Sequence, residues 1–275
     1  MAVSMADISK LRKMTGAGMM DCKKALTDAE GDFDKAMKII REKGQAVAAK
    51  RSDREASEGC VLAKSENGFA AIIALKCETD FVAKNADFVK LTQTILDAAV
   101  ANKCKTLDEV SALPMGDSTI AQAVVDRSGI TGEKMELDGY MFVEGPAISV
   151  YNHQNKNFLC TIVAFNKELA NPAVGHEVAM QIAAMNPIAI DEKDVPADVL
   201  EREKEIAADK ARQEGKPENM IDKIAMGRIG KFYKEVCLLK QEYIQDGKLT
   251  VADFLKQSDK DLTVTAFKRF TLRAE

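Results

Sequence analysis

Cys60-Val61-Leu62-Ala63-Lys64-Ser65-Glu66-Asn67-Gly68-Phe69-Ala70-Ala71-Ile72-Ile73-Ala74-Leu75-Lys76-Cys77 reads as a β-hairpin. Two short strand-like runs, Cys60 to Lys64 and Phe69 to Cys77, flank Glu66-Asn67-Gly68. Asn-Gly between such runs is the strongest short-range hairpin signal, because both positions tolerate positive φ. Helical periodicity follows: Phe88, Leu91, Ile95 and Ala98 share one face, and a second helix is predicted over Ile120 to Ser128. The strand–strand–helix order then recurs. Ala147 to Asn152 and Phe158 to Phe165 flank the polar turn His153 to Asn157, and a helix bearing Val174, Val178, Ile182 and Met185 stops near Asn186-Pro187. Phe69 to Ala74 and Phe158 to Val163 are alike in kind, which predicts two related α+β halves.

Beyond the second half lies a charged helical stretch from about Asp198 to Tyr243. Gly215-Lys216-Pro217 breaks it into two helices. In the second, Ile221, Ala225, Ile229, Phe232, Val236, Leu239 and Tyr243 recur at spacings of four and three, as in a coiled-coil seam. An antiparallel helical hairpin is the natural expectation. Leu262 to Arg273 alternates as a closing strand, with Leu262, Val264, Ala266, Phe270 and Leu272 on one side and Lys268 breaking that side.

Working back from the hairpin, Lys50 to Glu58 has the polar character of a linker. Three short helices precede it, their apolar stripes being Ile8, Leu11 and Met14; Met19, Cys22, Ala25 and Leu26; and Phe33, Ala36, Met37 and Ile40. Gly16-Ala17-Gly18 and Gly31-Asp32 mark the breaks. The organisation expected is a three-helix domain with linker at 1–56, a core half at 57–146, and a second at 147–275 carrying the helical excursion at about 196–245.

Composition fits that plan. At 275 residues the chain exceeds the span of one hydrophobic core, and 46% hydrophobic with 30% charged residues is an ordinary globular balance. The start, Met1-Ala2-Val3-Ser4-Met5-Ala6-Asp7, lacks the basic and apolar regions of a signal peptide, and no apolar run is long enough to cross a bilayer. A cytoplasmic protein is expected. Six scattered cysteines without a Cys-x-x-Cys pair read as buried thiols. The net charge of −4 argues against a general nucleic-acid binder, although residues 1–56 carry twelve basic against nine acidic side chains.

Enzyme signatures are sparse. The histidines are His153 and His176, without a His-x-x-x-His pair, and no Gly-x-Ser-x-Gly elbow occurs. Gly227-Arg228-Ile229-Gly230-Lys231 lacks the Walker spacing and sits inside a helical pattern, where it reads as a close-packed point on a helix. His176 reads as structural or solvated, and His153 as a turn histidine open to solvent or a partner. Two stretches invite a binding role. At Cys77 to Asn85, Thr79 can cap a helix and Asp80 favours its positive end. Phe81 then either folds back onto the sheet or is presented at a rigid corner. At Gly16-Ala17-Gly18-Met19-Met20, consecutive methionines cannot both face one core stripe, so at least one is expected at the surface.

These stretches carry a resemblance. Leu11-Arg12-Lys13-Met14-Thr15-Gly16-Ala17-Gly18-Met19-Met20-Asp21-Cys22-Lys23-Lys24-Ala25-Leu26 resembles the opening motif of the elongation factor Ts family, and Thr79-Asp80-Phe81-Val82-Ala83 resembles its exchange motif. Gly227-Arg228 and Lys231-Phe232-Tyr233-Lys234-Glu235-Val236-Cys237-Leu238-Leu239 are similar to its late helical signature. The resemblance implies a ubiquitin-associated-like three-helix head, two related α+β subdomains and an inserted antiparallel coiled-coil hairpin. It also implies a guanine-nucleotide exchange factor acting on elongation factor Tu, in its GDP-bound and nucleotide-free forms, by protein–protein binding. No catalytic residue, metal, cofactor, direct nucleic-acid contact or membrane is implied, and a homodimer or a 2:2 complex with the GTPase stays open. Arg12, Met19 and Met20 would dock on the GTPase domain. Thr79, Asp80, Phe81 and Val82 would push between helices near the nucleotide and dislocate its magnesium, and His153 would touch a more distant domain. Two features depart from the family pattern. Gln154-Asn155-Lys156-Asn157 stands where members often have a glycine-rich turn, and longer members continue past the last strand into a helical module. The three-helix head and helical hairpin also suit a ubiquitin-associated-like adaptor, which would bind without affecting nucleotide release.

Overall fold

Ser4 starts the first helix with a reciprocal cap. Its hydroxyl accepts from the Asp7 N–H, and the Asp7 carboxylate takes the Ser4 N–H. The structure, a computed structural model, describes residues 3–273, with Asn155 described by its backbone only. Met1, Ala2, Ala274 and Glu275, which fall within the expected end units and the leader reading, lie outside the described residues.

In chain order the elements are α1 (Met5–Thr15), α2 (Met19–Asp28), α3 (Phe33–Lys50), β1 (Glu58–Glu66), β2 (Phe69–Cys77), α4 (Asp80–Ala83), α5 (Ala86–Ala101) and α6 (Leu107–Ala112). There follow β3 (Pro114–Met115), β4 (Ser118–Thr119), α7 (Ile120–Thr131), β5 (Met135–Glu144), β6 (Ala147–Asn152), β7 (Leu159–Phe165) and α8 (Pro172–Met185). The chain closes with α9 (Ala197–Gln213), α10 (Glu218–Val236), β8 (Glu242–Tyr243), β9 (Asp246–Thr250), α11 (Val251–Ser258) and β10 (Val264–Thr271). This is an α+β fold. The chain divides into two compact units, one of residues up to Leu62 with Ile73–Tyr140 and the end from Leu272, the other of Ala63–Ile72 with Met141–Thr271.

In the first unit, α1, α2 and α3 surround Ile8, Leu11, Ala17, Cys22, Ala25, Leu26, Ala29 and Ala36. Met14 and Met19, expected in this core, are instead 52% and 46% exposed. Two three-residue steps from Ile8 rotate Met14 by about 120° around the helix, which carries it off the buried stripe. The α5 face also differs from the expected one. Phe88, Thr92, Ile95, Leu96, Ala99 and Val100 are buried, while Leu91 and Ala98 flank them. Thr92 tolerates burial because its hydroxyl donates to the Phe88 carbonyl at 3.0 Å. α7 runs to Thr131 and packs on α3.

The hairpin quoted above is present, with Asn67 at φ 50° and Gly68 at φ 74°. β2 is the middle strand of the sheet β1-β2-β5, whose strands each contribute residues to both units. β5 and α6 were not expected from periodicity. Asp138-Gly139, a turn signal in sequence, lies inside β5, and Gly139 adopts φ 61° there.

In the second unit, β7 is the buried middle of the antiparallel sheet β10-β7-β6, with Val150 opposite Ile162 and Phe267 opposite Val163. Both sheets are thus a hairpin whose second strand takes a later strand on its far side. The register of β10 shifts between Val264 and Ala266. This bulge reverses the inward parity, so Phe267 follows Leu262 and Val264 into the core and the strict alternation expected for this strand fails. α8 lies over the sheet, and the buried Thr161 hydroxyl donates to the Ala179 carbonyl at 2.8 Å. Val174, Val178 and Ile182 are buried as expected, but Met185, on the last turn before Asn186 at φ 43°, is exposed.

α10 returns alongside α9: Arg212 reaches Glu218 near the bend, and the Arg228 guanidinium donates to the Ala207 carbonyl and the Glu214 carboxylate. The helix ends at Val236, so Leu239 and Tyr243 leave the expected seam. Backbone pairing takes over there: Ile188 N–H donates to the Val236 carbonyl, Leu238 N–H to Ala189 and Leu239 N–H to Ile190. Gly227 and Gly230, expected at a close-packed point, face open space. Gln181 and Gln241, both fully buried, tie α8 to this segment. The Gln181 amide donates to the Gln241 side chain and the Glu242 carbonyl, and its oxygen accepts from Ile244 N–H at 2.9 Å.

Candidate functional site

The end of β2 and the start of α5 enclose a corner in the first unit. Thr79, in extended conformation, caps the single turn α4, and its hydroxyl is 3.5 Å from Val82 N–H. Two residues beyond α4, Asn85 caps α5 by accepting from the Asp87 and Phe88 N–H groups and also takes a bond from Arg127. Two caps within seven residues force the chain round sharply. Ala83 turns inward, Val82 is half-buried, and Phe81 stands 86% exposed. Of the two readings open for Phe81, the structure has the presented aromatic.

A carboxylate from far along the chain grips this corner. Glu133, just past the glycine that ends α7, accepts from Glu78 N–H at 3.1 Å, Thr79 N–H at 3.0 Å and the Thr79 hydroxyl at 2.6 Å. The grip is mutual, because the Glu78 carboxylate accepts from Lys134 N–H at 2.6 Å and from Arg51 at 2.8 and 3.0 Å. The Lys134 amide and the Arg51 and Arg54 guanidiniums hold the Glu78 carboxyl below its ordinary range. The spacing of sequence motifs signals neither Glu133 nor this use of Glu78.

Asp80 occupies the first turn of α4, where the helix dipole favours an acid. Lys84 sits one turn on, with its Nζ 2.6 Å from the Asp80 carboxylate, and that contact lowers the Asp80 pKa. Beneath the corner, burial pushes the Cys77 thiol up to about 12, and its Sγ donates to the Thr79 carbonyl at 3.2 Å. All six cysteines are buried.

The methionine turn belongs to the same unit. Gly16 at φ 72° ends α1, and Ala17 is buried. Thr15 locks the bend, donating to the Leu11 carbonyl and accepting from Ala17 N–H. α2 then begins with Met19 at 46% and Met20 at 73% exposure, and Arg12 is exposed on the last turn of α1. Both methionines are at the surface.

His153 lies in the second unit and is half-buried. Its Nδ1 is 3.0 Å from the Tyr151 hydroxyl, and its ring meets Tyr151 and Phe158 edge-on. Tyr151 also meets the exposed His176 on α8. Among the described residues, no group of three or more His, Cys, Asp or Glu side chains is placed to hold a metal, and no helix is long and apolar enough to cross a membrane.

Residues 78–274 match the family model described as elongation factor TS. The chain is 60% identical over 331 residues to the protein named elongation factor Ts of Bacteroides fragilis and 59% identical over 331 residues to that of Phocaeicola vulgatus. It is 54% identical over 276 residues to that of Porphyromonas gingivalis, and in all three comparisons the full length of both chains is covered.

Proposed function

The chain belongs to the elongation factor Ts family, and from that premise we propose that it accelerates GDP release from elongation factor Tu in the cytoplasm. The observation that carries the mechanism is Phe81, 86% exposed on a corner braced on both sides by carboxylates. A large apolar side chain held in water has little to gain in the free protein and much to gain in a partner's crevice. In this reading Phe81 and Val82 enter between helices of the GTPase, while Asp80 disfavours the ligated magnesium. Thr79 holds the corner's first turn.

Arg12, Met19 and Met20 form the second contact, on the GTPase domain. Exposed methionines suit it because the flexible thioether adapts to an irregular surface. The three-helix segment is then a ubiquitin-associated-like docking head on two related subdomains, and α9 and α10 are the coiled-coil excursion. His153, engaged with Tyr151, contributes from the second subdomain.

No bond is made or broken in this action. A factor that binds empty GTPase 100-fold better than the GDP-bound form weakens GDP by the same 100-fold, about 2.7 kcal/mol of coupling. Free GTP then refills the site and releases the factor. The test is release of a fluorescent GDP analogue from purified elongation factor Tu, with the parent protein and with Phe81→Ala. Acceleration by the parent that the variant loses supports both function and corner. Acceleration that survives in the variant moves the mechanism elsewhere, and no acceleration by the parent leaves the adaptor reading.

A further inference from the structure

We propose that Glu133 is the positioning residue of the exchange corner, setting the direction in which Phe81 points. The proposal rests on the exchange reading above for its functional consequence, but its structural half stands alone.

α4 is one turn of four residues and is too short to hold its own shape, since forming a first helical turn fixes several dihedrals for one hydrogen bond. Ala83 is its buried anchor, and Phe81 packs on too little to orient itself. The direction of the turn is therefore imposed from its N-terminal side. There the amides of Glu78 and Thr79 precede the helix and need acceptors. Both amides, and the Thr79 hydroxyl as well, donate to the single carboxylate of Glu133, 55 and 54 residues away in sequence. One neighbouring residue, Lys134, returns the bond through its own amide to Glu78. The result is a reciprocal clasp in which each backbone segment donates to the other segment's glutamate. A clasp of this kind fixes both translation and rotation of the Glu78-Thr79 peptide, which a single hydrogen bond cannot do. Arg51, held on Glu78, adds a third support from just beyond α3.

The test has two arms, both on the full-length chain. The first is amide hydrogen exchange in the free protein. Glu133→Ala should raise exchange at Glu78 and Thr79 at least about tenfold while β2 and α5 keep their protection. Unchanged protection at those two amides would overturn the proposal, whatever the protein's function. The second is a cycle of GDP-release assays with Glu133→Ala, Phe81→Ala and the double variant. Glu133→Ala should reduce acceleration about tenfold or more, and the double variant should be no slower than Phe81→Ala alone. Multiplying effects would show that Glu133 acts elsewhere and would overturn the functional half. Glu133→Gln, which retains one strong acceptor, should fall between parent and alanine variant, and it carries the same cycle if Glu133→Ala fails to fold. If the parent itself fails to accelerate release, the exchange reading falls, and the hydrogen-exchange arm alone decides the role of Glu133.

Discussion

A Cβ placed on Gly129 would stand 2.1 Å from the Cα of Gly44, so α7 and α3 meet backbone against backbone. The contact is not symmetric, because a Cβ on Gly44 would stand at 3.4 Å from the Gly129 Cα. Arg41, which pairs with Asp126 at 3.4 Å, lies one helical turn away from it. Gly129→Ala should therefore destabilise by about 1–3 kcal/mol despite alanine's better helix propensity, because two backbones cannot yield as side chains do. Gly44→Ala should be neutral or gain up to about 1 kcal/mol. Thermal melts of the two variants check the opposite signs.

Phe81→Ala should leave the melting temperature within about 1 °C of the parent, since an exposed side chain contributes little to folding. Its affinity for nucleotide-free elongation factor Tu should fall by roughly 1–3 kcal/mol, measured by titration calorimetry. Met20→Ala should follow the same pattern with a smaller loss.

Glu78 makes the clasp sensitive to acid. Its folded pKa lies below the ordinary 4.5, so its contribution to stability is complete above about that pH and is lost as pH falls through the lower folded value. The melting temperatures of the parent and Glu78→Gln should differ by about 2–5 °C at pH 6 and converge as the pH falls through that lowered folded value. A constant gap across that range would contradict the ion pairs with Arg51 and Arg54.

The thiols should be silent. Burial pushes Cys60 and Cys237 up to about 11 and Cys77 up to about 12. A disulfide reagent at pH 8 should find essentially no reactive thiol in the native protein and six after denaturation.

Gln181→Leu should cost about 2–4 kcal/mol although leucine is the more apolar residue. The change removes the acceptor of Ile244 N–H and the donor that serves the Gln241 side-chain oxygen and the Glu242 carbonyl in a closed interior. Chemical denaturation read by circular dichroism measures the loss.

The hairpin and the two central strands were legible because Asn67-Gly68 and the apolar runs Phe69 to Leu75 and Leu159 to Phe165, the second broken by Thr161 alone, are local signals. The strand β5 was hidden by Asp138-Gly139, a turn dipeptide that here bends a continuing strand. The true end of α10 was hidden because its competitor, backbone pairing with Ile188 to Ile190, lies some 50 residues upstream. The same reason separates the site residues. Thr79 to Val82 sit in one contiguous motif, whereas Glu133 acquires its role only when the fold brings α7's end to the end of β2. Periodicity reports which face of a helix is apolar, and it carries no information about which distant carboxylate will satisfy a given amide.

The pairing of Asp80 with Lys84 bears on how a partner arrives. Both side chains are in water with their charges 2.6 Å apart, so from a distance this pair carries a dipole and no net charge. A dipole's field fades faster than that of a single ion, and salt screens what remains. Long-range attraction is not supplied by this pair, and the approach is left to diffusion and to the other charges on the chain. On the proposed mechanism, ionic strength should therefore alter the rate of first encounter without touching the later step in which Phe81 seats itself. The two stages of capture separate in a salt series followed by stopped flow.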